Sequence, residues 1–221
     1  MRSGWTGGVS ETATTARVDR ATGVIDEATA WDLPHQEHGK RTAQEHATAQ
    51  RQIARRRKPK GQEQTHGYRL ARFKAARAHK KVARQRKDDA HKWAKKLVSD
   101  HQYLAVEDFK PKFIAKSTMA RKAAEATIAT TKAILIFQAL KAGRTLKLVS
   151  PRYTTMDCAH CGARAKHRLP LGERTYSCTG CGVSRSRDKN SAAVMVDRAG
   201  FSSANTKSLR LALAAVPQRA A

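Results

Sequence analysis

Four cysteines, the only four in the chain, stand at 158, 161, 178 and 181, and their pattern is C-x2-C-x16-C-x2-C. Two residues between paired thiols let each pair grip one ion from a tight turn. Gly162 and Gly182 directly follow the second cysteine of each pair, where such a turn needs a permissive backbone. Four thiolates at ~2.3 Å would close a tetrahedron around zinc and leave no position open for catalysis. Cys158, Cys161, Cys178 and Cys181 are therefore expected to hold a structural Zn2+. The plain alternative is four unrelated buried thiols. A redox CxxC fits less well, because there are two pairs and no βαβ context. His160 and His167 lie nearby, but four thiols make them unnecessary as ligands.

Acids are scarce, at 18 against 44 Lys and Arg. Two of them break the pattern of surface ion pairs. Glu107 closes the apolar run "YLAVE", which reads as a buried strand. Asp188 follows the second cysteine pair at the start of a helical stretch, where its simplest role is an N-cap. Taken together, the pair suggests another chemistry. Nucleases hold divalent ions with carboxylates brought from distant elements, and two ions ~3.5–4 Å apart stabilise the attacking and leaving oxygens of a phosphodiester. Mg2+ or Mn2+ would suit such oxygen ligands.

The charge says what the substrate would be. The formal net charge is +26, which calls for an anionic partner, and nucleic acid meets that need. A membrane partner is not expected: there is no apolar run of about 18 residues. The stretch "MRSGWTGGVSETATT" has no hydrophobic h-region, so a bacterial-type cytosol and association with the nucleoid are expected, where thiols stay reduced. Between Arg51 and Lys96 there are 18 Lys or Arg and 3 Asp or Glu. Arg55, Arg56, Arg57 and Lys58 form the densest cluster, with Lys80, Lys81 and Arg84 next; phosphate contact is one reading and a solvated helix face the other. The insert between the cysteine pairs is basic too, with Arg164, Lys166, His167, Arg168 and Arg174.

The elements that must position these groups follow in order. "GVSETATTARVD" reads as a strand with "RATG" as its turn. Helix is expected from about residue 36, broken by "KPKG", then from about Gly67 to Val98 on a stripe of Ala71, Ala75, Ala78 and Val82 extended by Ala90, Trp93 and Leu97. "YLAVED" and "TLKLVS" are strands. Between them lies a helix with Ser117 as a possible cap and Gly143 as its stop. Phe109 and Phe113 flank Pro111 and would either pack or stack on a base, with packing favoured. "KNSAAVMVDRAG" is a last helix, and residues 201–221 are read as a mobile tail. The class is α/β with a mixed sheet.

"YLAVEDFKPKF", "RYTTMDCAHCG", "GERTYSCTGCG" and "SRDKNSAAVMV" resemble the second half of the TnpB (OrfB) family, transposon-encoded RNA-guided DNA endonucleases. The resemblance implies an RNase H-like (RuvC-like) nuclease with long basic helices and an inserted zinc ribbon. It implies that Glu107 and Asp188 are the second and third catalytic carboxylates and that the cysteines bind zinc. It also implies DNA and a guide RNA as partners, their heteroduplex held through its backbone. The expected domains are a partial RuvC-like domain at 1–150 with a basic helical insertion at about 36–98, a zinc ribbon at 151–185, and a closing helix at 186–200.

The family's first carboxylate is the Asp of a "GVDxGV" strand, whereas "GWTGGV" here has no acid, and Thr6 or a neighbour stands in its place. Glu11, Asp19 and Asp26 would need another strand register to reach the site. A truncated member with little or no cleavage is the expectation. Two other functions compete: a non-catalytic zinc-ribbon module that binds nucleic acid as a regulator, and an RNA-associated structural protein.

Overall fold

The computed structural model describes residues 2–6, 11–19, 24–26, 28–108, 127–170 and 172–201. The expected turn at residues 20–23, Phe109, Phe113, the cap at Ser117 and the tail from residue 202 lie outside the described residues.

The chain separates into two compact units, one of Met1–His35 with Ala90–Ala221 and one of Gln36–Asp89. The first is built on a mixed sheet. Its strands are β1 (Arg2–Thr6), β2 (Thr14–Val18), β3 (Ile25–Asp26), β4 (Tyr103–Glu107) and β5 (Thr145–Val149), in the order β3-β2-β1-β4-β5. β1 runs antiparallel to β2 but parallel to β4, and β4 runs parallel to β5. The "GVSETATTARVD" strand starts only at Thr14; Ala13 before it makes an isolated bridge to Leu33. The centre of the sheet is instead β1, a strand of Gly, Ser and Thr around one Trp whose sequence carries no strong strand signal.

Alternation along the strands splits the core in two. Trp5, Leu104 and Val106 point to one face, where they pack with Trp93, Leu97, Ile134 and Leu135. That face is covered by the end of helix α3 (His66–Asp100) and by α4 (Ile128–Lys141). Trp93 is buried at 6% exposure and its indole donates to the Trp31 carbonyl at 2.6 Å. α4 closes at Gly143, whose φ of 63° is the left-handed turn expected after a helix. The opposite face carries Ala105 against Met195, Val196 and Ala199 of α5 (Arg187–Ala199). A two-stranded ribbon of β6 (Thr175–Ser177) and β7 (Ser184–Ser186) runs directly into α5.

The second unit holds α1 (His38–Arg41), α2 (Ala43–Arg56) and the first part of α3. α2 ends before Lys58-Pro-Lys-Gly61, with Gly61 at φ 95°. Ala71, Ala75 and Val82 form the buried stripe on α3, while Leu70 and Phe73 are exposed.

Candidate active site and metal centre

The two cysteine pairs fold into matching turns. Gly162 N donates to Cys158 O at 2.9 Å, and Gly182 N to Cys178 O at 2.9 Å; both glycines have φ 73°. The His160 amide donates to Cys158 Sγ and the Gly180 amide to Cys178 Sγ, each at 3.4 Å. The Cys181 and Gly180 backbone amides hold the Cys178 thiol down to about 6, which favours the thiolate that binds metal. The four sulfurs all lie within 4.8 Å of one another, with Cys158–Cys181 at 3.8 Å and Cys161–Cys178 at 3.6 Å. A tetrahedron of thiolates at ~2.3 Å from one ion has edges of ~3.8 Å, so the four sulfurs are spaced to suit a single metal ion. Tyr176, 1% exposed, packs with Cys158 and Cys178 and donates its hydroxyl to Met156 O at 3.3 Å.

This knuckle is fastened to α5. Asn190, fully buried, accepts from the Ala159 amide at 3.1 Å and donates to the Asp157 carbonyl at 2.7 Å, bracketing Cys158. The Asp157 carboxylate accepts from Nε and Nη2 of Arg164, at 2.6 and 3.0 Å, and from Nη2 of Arg198 of α5. The Arg164 hydrogen bond in particular holds the Asp157 carboxyl below its ordinary range. Asn190 was not singled out from sequence; its one signal is a lone amide at the head of the apolar run "SAAVMV".

α5 runs antiparallel to β4. Phe201, just past the helix, meets Tyr103 at the start of the strand, with ring centroids 5.4 Å apart; Met195, Val196 and Ala199 meet Ala105. Glu107 lies two residues beyond Ala105, so it shares Ala105's face, and the α5 N-terminus lies at its end of the sheet. That terminus carries Asp188. β1 repeats the arrangement: Gly4 meets Ala192 and Val196, and the parallel register pairs Trp5 with Val106. One step further along, Thr6 ends β1 beside the Glu107 end of β4. Glu107 ends β4, and Asp188 stands in the first turn of the helix that runs back along that strand.

Glu107 is 9% exposed. Asp188 is not the N-cap that its position suggested: Ser186 occupies the N-cap position, without a side-chain capping bond, and Asp188 lies in the first turn. Its oxygens are 3.9 Å from Arg174 Nη1 and 3.8 Å from Arg187 Nε. The described acids near the N-terminus are used elsewhere. Glu11 accepts from Thr14 Oγ1 at 3.1 Å, Asp26 stands on edge strand β3, and Asp19 is exposed. Asp32 is paired inside the protein: Lys189 Nζ donates to Asp32 Oδ2 at 2.7 Å and to the Thr15 carbonyl at 2.7 Å, while the Thr15 amide donates to Asp32 Oδ1 at 2.6 Å. This ion pair joins residues 157 apart, which no local pattern reveals. Among the described residues, the cysteines are the one group of three or more possible ligands that converge.

Arg55, Arg56, Arg57, Lys58, Lys80, Lys81 and Arg84 are all exposed in the helical unit. Lys81 joins Arg41, Lys74 and Arg77 around a cleft of about 760 Å³ between α2 and α3. No described helix is long and apolar enough to cross a membrane.

A parallel-centred mixed sheet with a closing helix and a thiolate knuckle is a RuvC-like, RNase H-like architecture. The family model described as "Probable transposase" matches residues 19–118, and the one described as "Cas12f1-like, TNB domain" matches residues 129–195. A curated "Putative RNA-guided DNA endonuclease" of Streptomyces pristinaespiralis is 29% identical over 185 residues, covering 81% of this chain and 44% of that protein. Among solved structures, Cas12f1 in its complex with sgRNA and target DNA superposes with a TM-score of 0.57 at 14% identity, over 88% of this chain and 49% of that one. At that identity the structural likeness speaks for the fold. The chain is thus similar to TnpB (OrfB)-type proteins, and it spans less than half the length of the curated relative.

Proposed function

We propose that this chain supplies the RuvC-like part of a TnpB-type protein that binds DNA together with a guide RNA, and that its own cleavage is weak or lost. The observation that supports the reading is the antiparallel run of α5 along β4, with Asp188 in the first turn of α5 and Glu107 at the end of β4. In this reading Glu107 and Asp188 would hold Mg2+ or Mn2+, which when bound would stabilise charge on the attacked phosphodiester. The four cysteines would hold Zn2+, which suits an all-thiolate tetrahedron. Residues 1–150, with the helices of about 36–98 inserted, and 186–200 make the nuclease domain, and residues 151–185 the ribbon. Arg55, Arg56, Arg57, Lys58, Lys80, Lys81 and Arg84 would lie against phosphates of the guide–target duplex.

What the chain's own residues do follows from the fold. Gly4 and Ala105 let α5 sit close on the sheet, Lys189 and Asp32 tie it to β2, and Asn190 ties it to the metal knuckle. A threonine at position 6 cannot supply the negative charge that two divalent ions need between three carboxylates. That residue is also the specific observation for the second reading, a nucleic-acid-binding member without cleavage.

The test is an assay of single-stranded DNA with Mg2+ or Mn2+. Little cleavage is expected from the wild type, and a gain of at least about tenfold from Thr6→Asp that vanishes in Glu107→Gln or Asp188→Asn. Robust wild-type cleavage abolished by Glu107→Gln would show that the missing acid has been placed wrongly.

A further inference from the structure

The basic helical unit holds one uncharged window, and two histidines face each other in it. α2 and α3 run antiparallel. At the turn end Arg56 donates to the Gly67 carbonyl at 3.0 Å, and at the other end His38 pairs with Asp89. Between those levels His46 of α2 meets His79 of α3, with ring centroids 4.1 Å apart and an edge-on angle of 74°. His46 is half-buried and His79 exposed. Gln50, one turn along α2, sets its side-chain nitrogen 3.3 Å from His46 Nε2. The amide donates there, so that ring nitrogen offers a lone pair.

The surroundings of the two rings differ from the rest of the unit. Residues three and four positions away are the neighbours of a helical side chain. For His46 these are Thr42, Ala43, Ala49 and Gln50; for His79 they are three alanines and Val82. None carries charge, although Lys or Arg fills 18 positions between Arg51 and Lys96. A dication placed between the rings would therefore meet no cation one turn away on either helix. The apolar seam of the unit is also thin. Its buried hydrophobic residues are Ala49, Ala71, Ala75 and Val82, which remove little apolar surface from water.

We propose that His46 and His79 form a site for a divalent transition ion of the zinc, copper and nickel class, which bridges α2 and α3. Imidazole nitrogen suits those ions, whereas Mg2+ seeks oxygen. His46 Nε2 exchanges its hydrogen bond from Gln50 for the ion, and the turned amide offers its carbonyl oxygen as a further ligand. Water completes the shell. Each ring comes from a different helix, so the ion ties the two together across a thin seam. An ion that binds only the folded hairpin stabilises it by mass action. The site shares no residue with the cysteines or with Glu107 and Asp188, and it stands whether or not the chain cleaves DNA.

The experiment titrates Ni2+ into the zinc-loaded full chain by calorimetry. Excess Mg2+ masks the carboxylates, and a colorimetric indicator checks that the zinc stays bound. One Ni2+ is expected to bind, at least about tenfold more weakly in His46→Ala and in His79→Ala, since loss of even an outer partner of a metal costs ~10–100-fold. His66→Ala, which removes an exposed histidine of the same unit, is expected to bind as wild type does. Gln50→His adds an imidazole one turn from His46 and is expected to tighten binding at least about tenfold; it tests the site without removing either ring. Saturating Ni2+ should raise the melting temperature of the helices, followed by circular dichroism, in wild type and not in the two alanine variants. Equal affinity in wild type, His46→Ala and His79→Ala, or an affinity that Gln50→His leaves unmoved, would reduce the two rings to a packing contact and overturn the proposal. Failure of wild type to bind Ni2+ at all would overturn it as well.

Discussion

Gly4 on β1 lies so close to α5 that a Cβ built on it falls 1.9 Å from the Ala192 carbonyl oxygen and 2.8 Å from Val196 Cγ2. The helix that carries Asp188 therefore rests directly on the backbone of the central strand. Gly4→Ala would force the two apart, and overpacking of this kind costs ~1–3 kcal/mol or more. The expected result is a melting temperature lower by several degrees. A variant as stable as wild type would mean that α5 is not seated as described.

Asn190 ties that same helix to the knuckle. Asn190→Ala removes both partners of the Asp157 carbonyl and Ala159 amide bonds while leaving those groups in place. Unsatisfied groups of this kind cost ~1–3 kcal/mol each. Zinc should leave faster in the presence of a chelator, as read by a colorimetric zinc indicator, with Cys161→Ser as the reference for outright loss. Identical release from wild type and Asn190→Ala would sever the link between helix and metal.

Lys189 and Asp32 are buried to 5% and 6% side-chain exposure. Lys189→Met alone strands the carboxylate, and Asp32→Asn alone strands the ammonium; each is expected to cost ~3–5 kcal/mol. Replacing both should cost less than the sum of the two, which urea unfolding of all four proteins in a double-mutant cycle reads directly. Additive losses would show that the two charges do not meet in solution.

His101 sets the acid limit of the sheet's other face. It is 1% exposed, bonded through Nδ1 to Leu97 O at 3.0 Å and edge-on to Trp31. Burial pulls its pKa below the ordinary 6.5. The unfolded chain then binds more protons than the folded one, so stability is whole above about pH 6.5 and is lost as pH falls through the folded value. Melting temperatures at pH 7.5 and 5.5 should differ more for wild type than for His101→Phe. Equal differences would remove His101 as the cause.

Much of this arrangement was legible in the sequence where the signal is local. The cysteine spacing with its glycines, the Ala71-to-Leu97 stripe of α3, the strands around Leu104 and Leu146, and the stop at Gly143 are all short-range patterns. β1 was not legible, because Arg-Ser-Gly-Trp-Thr becomes a central strand only through its neighbours, and Gly4 is there for closeness and not for strand propensity. The Lys189–Asp32 pair and the Asn190 clasp depend on which distant segments meet. Asp188 reads as an N-cap from its position, but Ser186 occupies that position and Asp188 stands in the first turn.

The claim on which the rest depends is that Glu107 and Asp188 serve one site. Titration of the zinc-loaded protein with Mn2+, followed by the paramagnetic resonance signal of the free ion, measures this directly. The account predicts one weak Mn2+ site in wild type, lost equally in Glu107→Gln and in Asp188→Asn, and tightened at least about tenfold in Thr6→Asp. Manganese binding that survives either single substitution, or that is lost in two independent portions, would contradict it.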